Sequence, residues 1–172
     1  MPISLFSIGL WIASAVVLLD QGSKSWILQR VMVPPRVIEV TSFFNLVLTW
    51  NRGVSFGLFN NDSSLNAWVL PAVAVLILAF LFFWLKRAKT LVMSIGLGLI
   101  IGGAFGNLID RLRFGAVADF LDFHVAGYHW PAFNVADAGI TVGVGVLIAD
   151  SLFGSAPADR DEAAKIGRET GK

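Results

Sequence analysis

Two aspartates are the side chains best suited by type and setting to do chemistry. Asp119 sits in Gly115-Ala116-Val117-Ala118-Asp119-Phe120, and Asp137 lies three residues after Asn134. Two carboxyl groups that share a partly dry site cannot easily both ionise, so one keeps its proton. The ionised member can take a proton from water. The other can support a carbonyl oxygen and later protonate a leaving amine. Such a pair titrates as a unit, so neither member is given a role of its own. Taken singly, Asp137 also reads as a helix N-terminal carboxylate favoured by the macrodipole, and Asp119 as a solvated loop acid. On these residues alone a structural pair and an ion-pathway element stay open beside the hydrolytic dyad.

Other chemistries find less support. Gly53-Val54-Ser55-Phe56-Gly57 matches the G-x-S-x-G elbow formally, but that elbow needs a strand-to-helix turn in an α/β fold, and no parallel sheet is expected here. His124 and His129 are the two histidines, next to Tyr128 and Trp130. They have no H-E-x-x-H context, and a catalytic zinc typically takes three protein ligands, so they read as interface histidines. The absence of cysteine removes thiol chemistry and cysteine metal sites. Ser23 and Lys24 are neighbours, which point apart on a helix, while Asp20 lies four residues before Lys24 and pairs with it along one face.

The elements that must position these residues are membrane helices. Of the 172 residues 56% are hydrophobic and 15% charged, and mean hydropathy is +0.73. A soluble domain would carry about 25% charged residues, so much of the surface faces lipid. A net charge of +1 gives no signal for nucleic acid. Four segments approach the roughly 20 apolar residues that a bilayer requires. They are predicted at about 2–20, 67–85, 91–109 and 133–153, the last containing Asp137 and Asp150. No Lys or Arg precedes Lys24, so the first segment lacks the basic region of a cleaved signal peptide and reads as a retained helix. Residues 1–153 form one membrane-embedded domain in this reading, and the polar tail 154–172 is expected to be disordered.

Lys86-Arg87-Ala88-Lys89, between the second and third helices, is a positive-inside signal. Both termini are then cytoplasmic, and the connections 21–66 and 111–132 lie outside. That threading brings Asp20, Asn107, Asp110, Arg111, Asn134 and Asp137 to the outer face. A charge in the membrane costs about 2.5–3.5 kcal/mol, so each one needs a reason. Asn107 lies three residues before Asp110 and four before Arg111, and Asn134 three before Asp137, so each set shares a face on which amides can hold a carboxylate. Val37–Val40 and Phe43–Trp50 are rich in β-branched and aromatic residues and predict a small sheet on the outer surface. Gly98, Gly102 and Gly106, with Gly139 and Gly143, have small-xxx-small spacing and predict close helix packing within one chain, hence a monomer. The fold class is an all-α polytopic membrane protein with four transmembrane helices and a small extracytoplasmic β-sheet.

Four blocks of this sequence resemble the lipoprotein signal peptidase, or signal peptidase II, family. Asp20-Gln21-Gly22-Ser23-Lys24 is similar to D-Q-x-[ST]-K, and Asn51-Arg52-Gly53-Val54-Ser55-Phe56 to N-x-G-x-[AS]-F. Gly106-Asn107-Leu108-Ile109-Asp110-Arg111, with Gly115, Val117, Asp119 and Phe120, is similar to G-N-x-x-D-R-x-x-x-G-x-V-x-D-F. Phe133-Asn134-Val135-Ala136-Asp137 is similar to F-N-x-A-D. The resemblance implies catalytic aspartates at Asp119 and Asp137, with Asp20, Lys24, Asn51, Gly53, Asn107, Asp110, Arg111 and Asn134 supporting the site. It implies an aspartic endopeptidase of the bacterial inner membrane that needs no cofactor or metal. Its partners would be membrane lipids and prolipoproteins with a diacylglyceryl-modified cysteine, cut on the N-terminal side of that cysteine. A small ion or proton transporter using the same acids is the alternative; it predicts polar residues at the bilayer midplane, where the second and third helices are apolar. A scaffold subunit is a third reading, and it would keep its function with Asn at position 119.

Overall fold

The computed structural model describes residues 3–53 and 64–153. Val54 to Gly57 of the elbow-like pentapeptide, Phe56 among them, and the tail 154–172 lie outside the described residues. Among the described residues four helices are long and apolar enough to cross a membrane: α1 (Leu5–Trp26), α2 (Ser64–Leu85), α3 (Leu91–Phe114) and α4 (Val135–Phe153). Their ends follow capping chemistry. The Ser4 hydroxyl accepts from Ser7 N at 3.1 Å to start α1, and Thr90 accepts from Met93 N at 3.0 Å to start α3. Gly115, at φ +69°, ends α3 in the left-handed conformation.

Two helices run further than their apolar stretches suggest. α1 continues past Asp20 to Trp26 and widens into a π-helical turn over Ile27–Val31. α3 continues past Ile109 to Phe114. Charged side chains mark the end of an uncharged run, but here Asp20, Lys24 and Asp110 are buried and paired with one another, so they extend their helices instead of terminating them.

α3 is the central post, packed on both α1 and α4, while α2 leans chiefly on α3. Glycines make the close approach possible. A Cβ at Gly98 would fall 2.6 Å from the Gly9 carbonyl oxygen, and one at Gly102 would fall 2.7 Å from that of Ala13. Such distances exclude side chains, so the small-residue spacing is used up inside the chain.

Among the described residues one sheet has four antiparallel strands in the order β1 (Ile38–Thr41), β2 (Phe44–Asn51), β3 (Val117–Val125) and β4 (Tyr128–His129). β1 and β2 fall within a residue of the predicted strands. β3 and β4 were expected as connection, and they turn out to belong to the same sheet. β3 carries Asp119 and Asp122, residues that strands disfavour, and its pairing with β2 is distant in sequence, so local pattern conceals it. Ala126 and Gly127, both at positive φ, form the tight turn between β3 and β4. Ile27, Met32 and Phe120 seat the sheet on the helix bundle.

Candidate active site

The site is assembled where α1, α3, α4 and β3 meet, and it contains two clusters of acids. In the first, Lys24 Nζ lies 2.9 Å from Asp20 Oδ2 and 2.9 Å from Asp110 Oδ2. All three residues are buried. The carboxylates also tie elements together. Asp20 Oδ1 accepts from Ala136 N of α4 at 3.0 Å, and Asp110 Oδ2 accepts from Ala118 N of β3 at 3.1 Å. Gln21 Nε2 lies 3.0 Å from Asp20 Oδ2 and 3.0 Å from Asp110 Oδ1. Asp20 rests against Gly106, where a Cβ would fall 2.5 Å from its Oδ2. The Ser23 hydroxyl donates to the Asp20 carbonyl of its own helix at 2.8 Å, away from any role beside Lys24.

The second cluster is Asp119 and Asp137, joined through Asn134. Asn134 precedes α4 as its N-cap. Its Oδ1 accepts from Asp137 N at 3.0 Å, and the Asp137 carboxyl accepts from Asn134 N at 3.3 Å, a reciprocal capping box. The same amide donates through Nδ2 to Asp119 Oδ1 at 2.6 Å. One residue thus touches both carboxyl groups. Asn51 Nδ2 donates to Asp119 Oδ2 at 3.2 Å from β2, and Asn107 Nδ2 donates to Asp137 Oδ1 at 2.8 Å from α3. Lys24 reaches this cluster at one remove, donating to Asn107 Oδ1 at 3.1 Å. Burial, and next the charge of Asp137, push the Asp119 carboxyl up to about 7, against the donations from Asn51 and Asn134 and the charge of Lys24. A carboxyl that titrates there can exchange a proton with water near neutrality.

The sequence-predicted residues fall into distinct places. Asn51, Asn107 and Asn134 contact the Asp119–Asp137 pair directly. Asp20, Lys24 and Asp110 form the ion-paired cluster behind it. Arg111 extends Nη2 to the Gly53 carbonyl at 3.4 Å and Nη1 to that of Asn107 at 3.5 Å, tying Gly53, just past the end of β2, to α3. Sequence reasoning left out Asn45 and Asp122: Asn45 Nδ2 donates to Asp122 Oδ2 at 3.1 Å, and Asp122 pairs with His129. His129 Nδ1 lies 2.8 Å from Asp122 Oδ1, and the His129 and His124 rings stack with centroids 4.8 Å apart. Among the described residues no group of three His, Cys, Asp or Glu side chains has an arrangement able to hold a metal ion.

A four-span bundle with two carboxyl groups, one buried and one half-buried, held at one end defines a polytopic membrane protein. The family model for signal peptidase (SPase) II matches residues 12–153. The lipoprotein signal peptidase of Methylobacterium sp. (strain 4-46) is 44% identical over 153 residues, 88% of this chain and 93% of that one. That of Nitrobacter hamburgensis (strain DSM 10229 / NCIMB 13809 / X14) is 46% identical over 150 residues, 84% and 92% of the two chains. A bacterial membrane enzyme solved by the in meso method at 1.9 Å resolution superposes with a TM-score of 0.75 at 31% identity, covering 86% of this chain and 94% of that one. The chain belongs to the signal peptidase II family and is a bacterial membrane peptidase.

Proposed function

We propose that this enzyme removes the signal peptide from prolipoproteins whose cysteine carries a diacylglyceryl group, cutting on the N-terminal side of that cysteine. Water is the nucleophile. The ionised member of the Asp119–Asp137 pair takes its proton as it attacks the scissile carbonyl, and the protonated member supports the carbonyl oxygen and then protonates the departing amine. The observation that carries this reading is the single Asn134 side chain bonded to both carboxyl-bearing residues, at 2.6 Å to Asp119 and 3.0 Å to Asp137 N. It holds two acids together where charge alone would drive them apart.

Orientation follows from Lys86, Arg87 and Lys89, which favour a cytoplasmic α2–α3 turn and cytoplasmic termini, with the site near the extracytoplasmic face. A substrate anchored by two acyl chains and a signal helix presents its scissile bond at that level. Gly53, whose carbonyl Arg111 holds, borders the site and is suited to meet the peptide backbone. The enzyme acts among membrane lipids as a monomer, because its helix glycines are spent on internal contacts. The transporter reading is disfavoured, since the acids gather at one end of the bundle. Cleavage of a purified lipidated precursor by wild type, Asp119→Asn and Asp137→Asn is the test. Wild type should cut and both variants should fold without cutting. Robust cutting by either variant removes that residue from the mechanism.

A further inference from the structure

Asp122 follows Asp119 by three residues along β3, an odd spacing that puts the two side chains on opposite faces, although the pairing with β2 shifts register between Asp119 and Leu121. On the far face Asp122 accepts from Asn45 Nδ2 at 3.1 Å and pairs with His129 Nδ1 at 2.8 and 2.9 Å. This pair lies outside the two acid clusters, yet it is connected to them by the chain. Residues 128–133 run antiparallel along β3. Trp130 N donates to Phe123 O at 2.8 Å, and Phe133 exchanges backbone bonds with Leu121 at 2.9 and 3.1 Å. Pro131 has no N–H to add. Among the described residues, the His129–Asp122 bond is the one side-chain hydrogen bond this segment makes. The next residue is Asn134, which donates to Asp119 and caps α4 at Asp137.

We propose that the Asp122–His129 pair is a positioning clasp for the Asp119–Asp137 site. By tying residues 128–133 to β3 it fixes where Asn134 stands, and through Asn134 it sets how firmly ionised Asp119 is held. The clasp acts through Asn134 and touches neither substrate nor dyad. Burial acts to raise the Asp122 carboxyl, but the bonds from His129 and Asn45 and the charges of both histidines outweigh it and hold it below the usual carboxylate range. The clasp is therefore closed throughout the neutral range. His129 faces Asp122 and the His124 ring, and Arg36 lines the same cavity of about 650 Å³. Around Asp119 the charged groups are Asp137, Lys24 and Arg111. None of these is altered by a change at His129, so a shift in Asp119 titration reports on Asn134.

The inference rests on the peptidase reading, and its test separates the two. Full-length enzyme and a lipidated precursor are assayed for kcat, KM and pH profile across the neutral range, with Tm measured in parallel. His129→Ala should lower kcat about three- to tenfold with KM little changed, as a small displacement of a positioned group does. A weaker bond to ionised Asp119 raises its titration, so the limb it governs should move up by about half a pH unit. His129→Phe, which keeps bulk and stacking on His124 but cannot donate, should show the same shift. His129→Gln, whose amide can donate to Asp122, should restore both kcat and midpoint. The His129 side chain is 54% exposed, so these variants should fold. A midpoint that stays at the wild-type value in His129→Ala and His129→Phe, whatever happens to Tm, overturns the clasp. A wild-type enzyme that cuts no lipidated precursor overturns the peptidase reading instead.

Discussion

Asp20 and Asp110 each lie 2.9 Å from a lysine ammonium, whereas the side-chain donors to Asp119 and Asp137 are asparagine amides. The four acids share one residue type and one end of the bundle; Asp20, Asp110 and Asp119 are buried and Asp137 is half-buried. Their partners separate them. A buried carboxylate facing a cation keeps its charge and acts as a fastener between elements. A buried carboxyl held by neutral donors beside another acid keeps a proton within reach, and Asp119 is pushed to about 7 as a result. Charge compensation thus distinguishes the acids that build the fold from the pair proposed for catalysis.

The sharpest way to break this comparison is to remove one charge from each cluster. Asp119→Asn and Asp137→Asn should each reduce cleavage of a lipidated precursor by about 10³-fold or more, with Tm in detergent held or raised. Lys24→Met should do the reverse in kind. It leaves two buried carboxylates without a cation, a loss of about 3–5 kcal/mol, read as a fall in Tm and in folded yield. Replacing the whole cluster, as Asp20→Asn, Lys24→Met and Asp110→Asn together, should recover most of that stability, because a buried ionic group is often replaceable as a unit. Recovery of stability without recovery of rate would locate the contribution of Lys24 in its bond to Asn107.

Smaller effects sharpen the contrast. Asn51→Ala removes one donor to Asp119 and should cost about tenfold in kcat/KM, with the pH limb governed by Asp119 displaced upward. The smallest expected effect is on stability against pH. The folded-state value of about 7 for Asp119 lies above the ordinary 3.8, so the folded chain binds that proton more tightly than the unfolded chain. Its contribution is full below the ordinary carboxylate range and is lost as pH rises through about 7. Asp119→Asn cannot ionise, so its Tm should exceed that of wild type at about pH 8.5, and the advantage should vanish in acid. An advantage that persists in acid would mean that Asp119 is not the group responsible.

Much of this architecture was legible from residues alone. The apolar runs gave the four helices, and the i,i+4 spacing of Asp20 and Lys24 gave a pair found at 2.9 Å. The extent of α1 was not legible, because a charge ends an apolar run whether or not a partner from another helix buries it. Here that partner is Asp110, far along the chain. The strand that carries Asp119 was hidden for a related reason. Its identity comes from pairing with β2, as Thr49 opposite Asp119, a contact that local periodicity does not encode. Asp122 was passed over and His129 read only as an interface histidine, because a lone acid and a histidine have no shared signature until a hairpin turn at Ala126 and Gly127 brings them face to face.

The unequal packing of the four helices has a consequence for how the chain tolerates drift. α2 leans on one neighbour and shows lipid most of its surface, so nearly any apolar residue serves at Val69, Leu76 or Phe80. α3 has no such latitude, since at Gly98, Gly102 and Gly106 the smallest possible side chain already collides with a neighbouring helix or with Asp20. Sequence drift should therefore collect on the lipid-facing side of α2, while the seam between α1 and α3 keeps its glycines.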